Sequence, residues 1–255
     1  MAEYYYAGST DAGFKRKLNE DYVDAVKLSD KCLFIVIADG MGSRETGIQP
    51  AQVSCRLICQ EILRIYKDDP TLLFENAEQI LPIIIRCPNE VLGAFKTANE
   101  EIYSGIGSTL TCCLLTPERR MFLAHIGNSR LYLIRNKSGI SGIRQLTTDH
   151  TAARELLDRN RITAEEYYTH HERNRLTSAL GYVFEPEIQV MSTTLKQNDI
   201  LLLTTDGIHY AVRQEAMLDI VIASDNCRAA ADNLIDAAKM LEYNDNMTAA
   251  VIYVK

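Results

Sequence analysis

Three acidic residues far apart in the chain, Asp39, Asp206 and Asp245, each stand at the edge of an apolar run. Leu33 to Ala38 runs into Asp39-Gly40-Met41-Gly42, Ile200 to Thr205 runs into Asp206-Gly207, and Asp245-Asn246 precedes Met247 to Tyr253. Such runs read as strands, and neighbouring antiparallel strands would gather the three carboxylates at one edge. Gathered carboxylates repel and raise one another's pKa unless a cation neutralises them, which points to hard, oxygen-preferring ions such as Mn²⁺ or Mg²⁺. Each Asp-Gly taken singly is also ordinary turn chemistry, with Asp accepting backbone hydrogen bonds and Gly supplying positive φ. It is the setting repeated three times that suggests a shared metal site.

Arg16 adds a cation just before Asn19-Glu20-Asp21. A guanidinium clamps phosphate oxygens at two points, which a lysine does poorly, although Lys15-Arg16-Lys17 also reads as a solvated basic patch. The seven cysteines include no C-x-x-C pair and read as buried free thiols in a reducing compartment. His125 lies in a strand pattern and reads as a packed core residue, His150 as part of a turn, and His209 as structural.

The elements that must position these groups follow from periodicity. Ala51 to Lys67 carries Val53, Leu57, Ile58, Ile62 and Ile65 at helical spacing, and a second helical stretch runs from about Glu75 to Tyr103, where Pro82 and Pro88 predict a kink or a division. Thr109 to Leu115, Met121 to Ile126 and Arg130 to Arg135 are strand-like runs separated by turns, which predicts an antiparallel meander. Thr151 to Arg175 interrupts them with a charged, helix-prone segment containing a capping box at Thr163 and Glu166. Strands resume at Glu187 to Thr194 and Asp199 to Thr205, followed by a helix over Cys227 to Leu241 and a final strand. The economical solution is one α+β domain, two packed sheets with helices outside.

Length and composition narrow the classes. A chain of 255 residues with 47% hydrophobic content can bury a core. Its 27 Lys+Arg against 34 Asp+Glu give a net charge of −7, with no basic block for a nucleic-acid backbone. No apolar stretch approaches the roughly 20 residues that span a bilayer, and the start lacks the build of a signal peptide. A cytoplasmic protein with neither nucleic-acid nor membrane partners is the expectation.

Eight blocks in order bring a resemblance into view: Arg16-x-x-Asn19-Glu20-Asp21, Ala38-Asp39-Gly40-Met41-Gly42, Gly107-Ser108-Thr109, Gly127-Asn128-Ser129-Arg130, Leu146 to His150, Asn174 to Gly181, Thr205-Asp206-Gly207 and Asp245-Asn246-Met247-Thr248. Together they resemble the metal-dependent PP2C (PPM) protein phosphatases, in the bacterial form. The resemblance implies a single domain over 1–255, a four-layer sandwich of two antiparallel β-sheets flanked by helix pairs, with Mn²⁺ or Mg²⁺ as a pair of ions in a cleft at one end. It implies that Asp39 bridges both ions, the Gly40 carbonyl binds one, and Asp206 and Asp245 complete the other. Glu20 and Asp21 would hold metal-bound waters, Arg16 would orient the substrate phosphate, and 151–175 would be a mobile flap. The implied activity is hydrolysis of phosphoserine and phosphothreonine in phosphoproteins by a metal-activated water, in a monomer paired with a Ser/Thr kinase.

Departures from the family pattern qualify that expectation. Asn128 stands where the family commonly has an Asp that helps bind a third ion, and a neutral amide weakens such a site. Ser43-Arg44-Glu45 and Glu242-Tyr243-Asn244 replace smaller residues at the cleft rim. A weakly active or inactive relative that binds phosphoproteins is therefore the alternative function. A phospho-accepting receiver domain, with Asp39 at a strand end, would need parallel βα units that the meander does not supply.

Overall fold

The computed structural model describes residues 2–42, 46–137, 139–182 and 185–255. The rim residues Ser43-Arg44-Glu45 singled out above lie outside them. One sheet has the strand order β1 (Tyr4–Asp11), β11 (Met247–Val254), β10 (Ile200–Thr204), β7 (Arg130–Lys137), β8 (Ile140–Gln145). The other runs β2 (Asp21–Ser29), β3 (Cys32–Met41), β5 (Leu110–Leu115), β6 (Arg120–Ile126), β9 (Gln189–Thr194), with the short β4 (Gly107–Ser108) also on β3. Every strand pair among the described residues is antiparallel, which excludes the receiver topology.

The continuous apolar runs have a simple cause, since both faces of the central strands are covered. On β3, Leu33, Ile35 and Ile37 point between the sheets against Leu131, Leu133, Leu201, Leu203, Ala250 and Ile252. Phe34, Val36 and Ala38 face the other way, onto Cys55, Ile58 and Ile62 of α1 (Pro50–Asp68) and Leu81, Ile85 and Leu92 of α3 (Ala77–Ala98). The opposite sheet turns Tyr132, Leu202, Ala249 and Val251 toward α8 (Gln214–Ala223) and α9 (Cys227–Met240). The result is the expected four-layer sandwich, two antiparallel sheets between helix pairs. Burying each of the larger aliphatic side chains contributes about 1.5–3 kcal/mol.

Two expectations need correction. The helical stretch before Tyr103 is not divided at its prolines. Pro82 and Pro88 both lie inside α3, and the breaks fall instead at Asn76, after α2 (Pro70–Glu75), and at Asn99. Asn99 Oδ1 accepts the Ile102 N–H and so caps α4 (Glu100–Tyr103). The meander also fails after its second strand. β5 and β6 pair directly, but β7 joins the other sheet beside β10, so the chain changes sheets at Gly127-Asn128. Period-2 alternation records which face is buried and carries no information on which sheet a strand joins. That change of sheet delivers Asn128 to the seam where the candidate site forms.

The segment between Thr151 and Arg175 folds as α5 (Ala152–Asp158) and α6 (Ala164–Thr169), and α6 opens with the predicted capping box. A Thr151–Leu176 bridge and the Ala152 N–H to Arg175 carbonyl bond close its base. No helix among the described residues is long and apolar enough to cross a membrane.

Candidate active site

Asp206 and Asp245 sit at the same end of two neighbouring strands, since β10 and β11 pair as far as Thr204 opposite Ala249. Asp39 comes from the other sheet, so the three carboxylates straddle the sandwich and do not line one edge as the strand runs suggested. Asp21 joins them, as the direct cross-strand partner of Asp39. Two like charges facing across a strand pair are destabilising in the absence of a counter-ion.

The Asp-Gly pairs serve close approach, and the turn reading does not hold for them. Neither Gly40 nor Gly207 has positive φ. A Cβ on Gly207 would lie 1.9 Å from the Asn246 carbonyl oxygen, and one on Gly40 would lie 2.7 Å from the Glu20 carbonyl oxygen. Glycine at 207 lets the Asp206 turn touch the Asp245-Asn246 turn, and glycine at 40 lets β3 touch the Glu20 turn. Asn246 then ties the N-terminal loop to this junction. Its Oδ1 accepts the Glu20 N–H at 2.9 Å, and its Nδ2 donates to the carbonyls of Ala12 at 2.9 Å and Leu18 at 3.0 Å. The loop so fixed carries Arg16, whose Nη2 meets Asp245 Oδ1 at 2.8 Å.

Asp39 is held by its backbone, donating its N–H to Thr109 Oγ1 at 2.8 Å, while its carbonyl accepts the Thr109 N–H at 2.9 Å. Asp21 Oδ2 accepts from the hydroxyls of Thr205 at 2.7 Å and Thr248 at 2.8 Å. Asp206 Oδ2 accepts from Asn128 Nδ2 at 3.2 Å. Burial pushes Asp21 up to about 7, with the charge of Asp245 adding to it against the two threonine hydroxyls. Asp206 also rises to about 7, through burial and then the charges of Asp245 and Asp21. Asp39 is raised well above the carboxylate range by burial and by Asp21, Asp206, Asp245 and Glu20. Burial raises Asp245 even with Arg16 beside it.

Among the described residues no three Asp, Glu, His or Cys side chains form a ready ligand cage. The donor chemistry nevertheless fits a hard divalent cation. Buried carboxylate oxygens whose mutual repulsion stays uncompensated, with one arginine and one amide engaging two of them, are what such a cation would relieve.

A pH dependence follows. Asp21 and Asp206 hold protons more tightly in the fold than in the unfolded chain, so they remove stability as pH rises from about 4 through about 7. The buried histidines act in the opposite sense over the lower part of that range, adding stability as pH rises. Burial lowers His125 to about 3 and His209 well below its ordinary value, so they stop mattering above roughly pH 6.5. In chelator the melting temperature is expected to drop by about 3 °C or more between pH 6.5 and pH 8. Saturating Mn²⁺ should flatten the curve, and an equal slope with and without Mn²⁺ would contradict the shared site.

The histidines and six of the seven thiols take the places expected of them, and Cys87 is only partly buried. His125 bonds Thr111 Oγ1 and the Thr148 carbonyl, His150 Nδ1 accepts the Gly127 N–H, and His209 Nδ1 pairs with Thr204 Oγ1. All seven cysteines are free, and burial raises each thiol, which removes them from nucleophilic chemistry. Two features escaped the sequence reading. Asn246 is the clamp of the N-terminal loop, and a buried pair, Arg130 with Asp149, lies behind the site and receives Tyr167 from α6. A Tyr three residues before the histidines of a charged segment carries no signal for such a contact.

The family profile described as protein phosphatase 2C matches residues 15–243. The chain belongs to the protein phosphatase 2C family. As a member it is a metal-dependent protein serine/threonine phosphatase. It is 29% identical over 244 residues to the serine/threonine phosphatase stp of Listeria welshimeri, covering 95% of this chain and 93% of that protein. It is 27% identical to the protein phosphatase PhpP of Streptococcus pneumoniae over 95% of this chain and 94% of that one. Among solved structures, the Mycobacterium tuberculosis phosphatase PstP/Ppp superposes with a TM-score of 0.81 at 30% identity, covering 98% of both chains. The PstP catalytic domain in complex with two manganese ions matches this phosphatase with a TM-score of 0.79 over 100% of this chain and 99% of that one.

Proposed function

We propose that this phosphatase hydrolyses phosphoserine and phosphothreonine in phosphoproteins at the Asp39, Asp206 and Asp245 site. The observation that carries the reading is the convergence of these mutually repelling carboxylates, Asp206 buried and Asp39 and Asp245 half-buried, beside Arg16. Asp39 and the Gly40 carbonyl would hold one of two Mn²⁺ or Mg²⁺ ions, with Asp206, Asp245 and the shared Asp39 on the other. Such ions supply Lewis acidity and bring the pKa of water toward neutrality. Asp21, opposite Asp39 on the strand pair, would hold metal-bound water, and its threonine partners keep one of its oxygens fixed. Glu20, on the loop that Asn246 clamps, faces the same group of charges. Arg16 is within reach of Asp245 and can turn its second edge to a phosphate oxygen, offsetting charge that builds as the ester bond breaks. No covalent intermediate on the protein is needed. The 151–175 segment would be the flap of a single domain, and the phosphoproteins would be targets of a Ser/Thr kinase. Phosphate release from a phosphothreonine peptide with Mn²⁺ and with chelator tests this reading. Equal rates in both would end it.

Asn128 favours a second reading, a slow enzyme or a phosphoprotein-binding relative. Its Nδ2 hydrogen bond to Asp206 puts a donor where a third-ion ligand would need an acceptor. Asn128→Asp would place a further carboxylate against Asp206. In chelator it is expected to lower the melting temperature by about 2–4 °C. With millimolar Mn²⁺ it is expected to raise turnover about tenfold if a missing ligand limits the rate. Turnover within twofold of the parent would retire the slow-enzyme version, and parent turnover well above background would retire the binding-only version.

A further inference from the structure

Tyr243 departs from the small residues expected two positions before the last metal-site aspartate, and the structure gives it a partner. Its hydroxyl accepts from Arg173 Nη2 at 3.3 Å. The same guanidinium lies 4.7 Å from the ring centroid of Tyr210, and Arg173 Nη1 donates to the Tyr168 carbonyl at the end of α6. Tyr210 completes the contact by donating its hydroxyl to the Arg173 carbonyl at 2.9 Å. One arginine therefore joins three pieces of chain. These are the 151–175 segment through Tyr168 and Arg173 itself, the turn that α7 (Asp206–His209) makes after Asp206, and the turn that precedes Asp245.

The remaining attachments of the segment do not reach Asp245. Its base is closed by Thr151 and Leu176, and Tyr167 fastens its inner side to Asp149 and Arg130. An outer contact, Glu165 with Arg213, is solvent-exposed and contributes little. Among the described residues Arg173 is the contact that ties the segment to both the Asp206 and the Asp245 turns, while Arg213 adds a stacking contact 5.6 Å from the Tyr168 ring centroid on the Asp206 side alone. A small residue at 243 would leave the guanidinium to Tyr210 and the Tyr168 carbonyl, with no tie to the turn before Asp245.

We infer that Tyr243 is a positioning residue for protein substrates, acting through Arg173 to hold the 151–175 segment where the chain flanking a phosphorylated side chain must lie. The inference rests on the phosphatase reading above. A peptide bound at Arg16 and the carboxylates extends beyond the phosphate, and the fastened segment forms a wall beside it. p-Nitrophenyl phosphate has no flanking chain and does not touch that wall.

Tyr243→Phe removes the hydroxyl and keeps the ring. For a phosphothreonine peptide, KM is expected to rise about fivefold to tenfold with kcat within twofold, the scale of one hydrogen bond to a charged group. For p-nitrophenyl phosphate neither constant should move beyond twofold. Amide exchange over 164–173 should quicken by about tenfold with no change in the β10 and β11 amides. The double variant Tyr243→Phe with Arg173→Ala should have the same peptide KM as Arg173→Ala alone, because the hydroxyl acts only through that arginine. Unchanged peptide KM in Tyr243→Phe, equal losses on both substrates, or additive effects in the double variant each overturn the inference. Absence of Mn²⁺-dependent turnover in the parent protein would instead overturn the phosphatase reading, so the two failures are distinguishable.

Discussion

Replacing Asp39 with Asn is expected to lower Mn²⁺-dependent turnover of p-nitrophenyl phosphate by about a thousandfold, which corresponds to roughly 4 kcal/mol of lost transition-state stabilisation. The substitution is nearly isosteric. It keeps the backbone bonds to Thr109 and leaves β3 in register. What changes is charge and donor number, since the amide would offer the proposed ions one neutral oxygen in place of two charged ones. The same change should stabilise the ion-free protein. Asp39 faces Asp21 across the strand pair and feels Asp206, Asp245 and Glu20 as well. Removing one charge from that group should raise the melting temperature in chelator by about 2–5 °C. Adding Mn²⁺ should then produce little further shift. Loss of activity with a lowered melting temperature in chelator would mean a folding defect, and activity within tenfold of the parent would exclude Asp39 as the shared ligand.

Asp149→Asn is expected to be the most destabilising conservative substitution available near the site. Arg130 and Asp149 are both almost wholly buried and joined by Nε and Nη2 contacts of 2.6–3.1 Å. Burial alone would raise the Asp149 carboxyl, yet the Arg130 guanidinium holds it well below the usual range. That stabilisation is fully present at neutral pH and fades only as pH falls below the ordinary carboxylate value. Neutralising the aspartate strands a buried guanidinium, a change that costs about 3–5 kcal/mol. For a chain of this size the melting temperature should drop by roughly 10 °C. Tyr167 and Gln145 also donate to Asp149, so α6 loosens with it. Replacing Arg130 and Asp149 together with Met and Leu should recover part of the loss. A drop below about 3 °C in the single variant would show that water reaches the pair.

Much of the site is legible in the chain because the same constraint recurs. A carboxylate at a strand end, followed by a glycine that admits another backbone, leaves a short local record at Asp39-Gly40 and Asp206-Gly207. What the record omits is which strands meet. The apolar runs of β3 and β10 look alike, and nothing in them says that they belong to different sheets. Family likeness gives Asp21 a place at metal-bound water, whereas its position opposite Asp39 depends on the β2–β3 register. The helix α8 left no amphipathic period because Leu218, Ile220 and Ile222 are apolar beyond its buried face. Contacts such as Arg173 with Tyr243 span 70 residues and have no local signature at all.

The placement of β11 has a consequence for how the molecule comes into being. β11 lies between β1 and β10, so β1 has no neighbour in its sheet until β11, far along the chain, has been made. Asp245, Asn246 and the Thr248 hydroxyl on Asp21 arrive at the same moment. Until β11 is made the nascent chain carries an unclosed sheet and no assembled site, and a cut just before Asp245 removes both together.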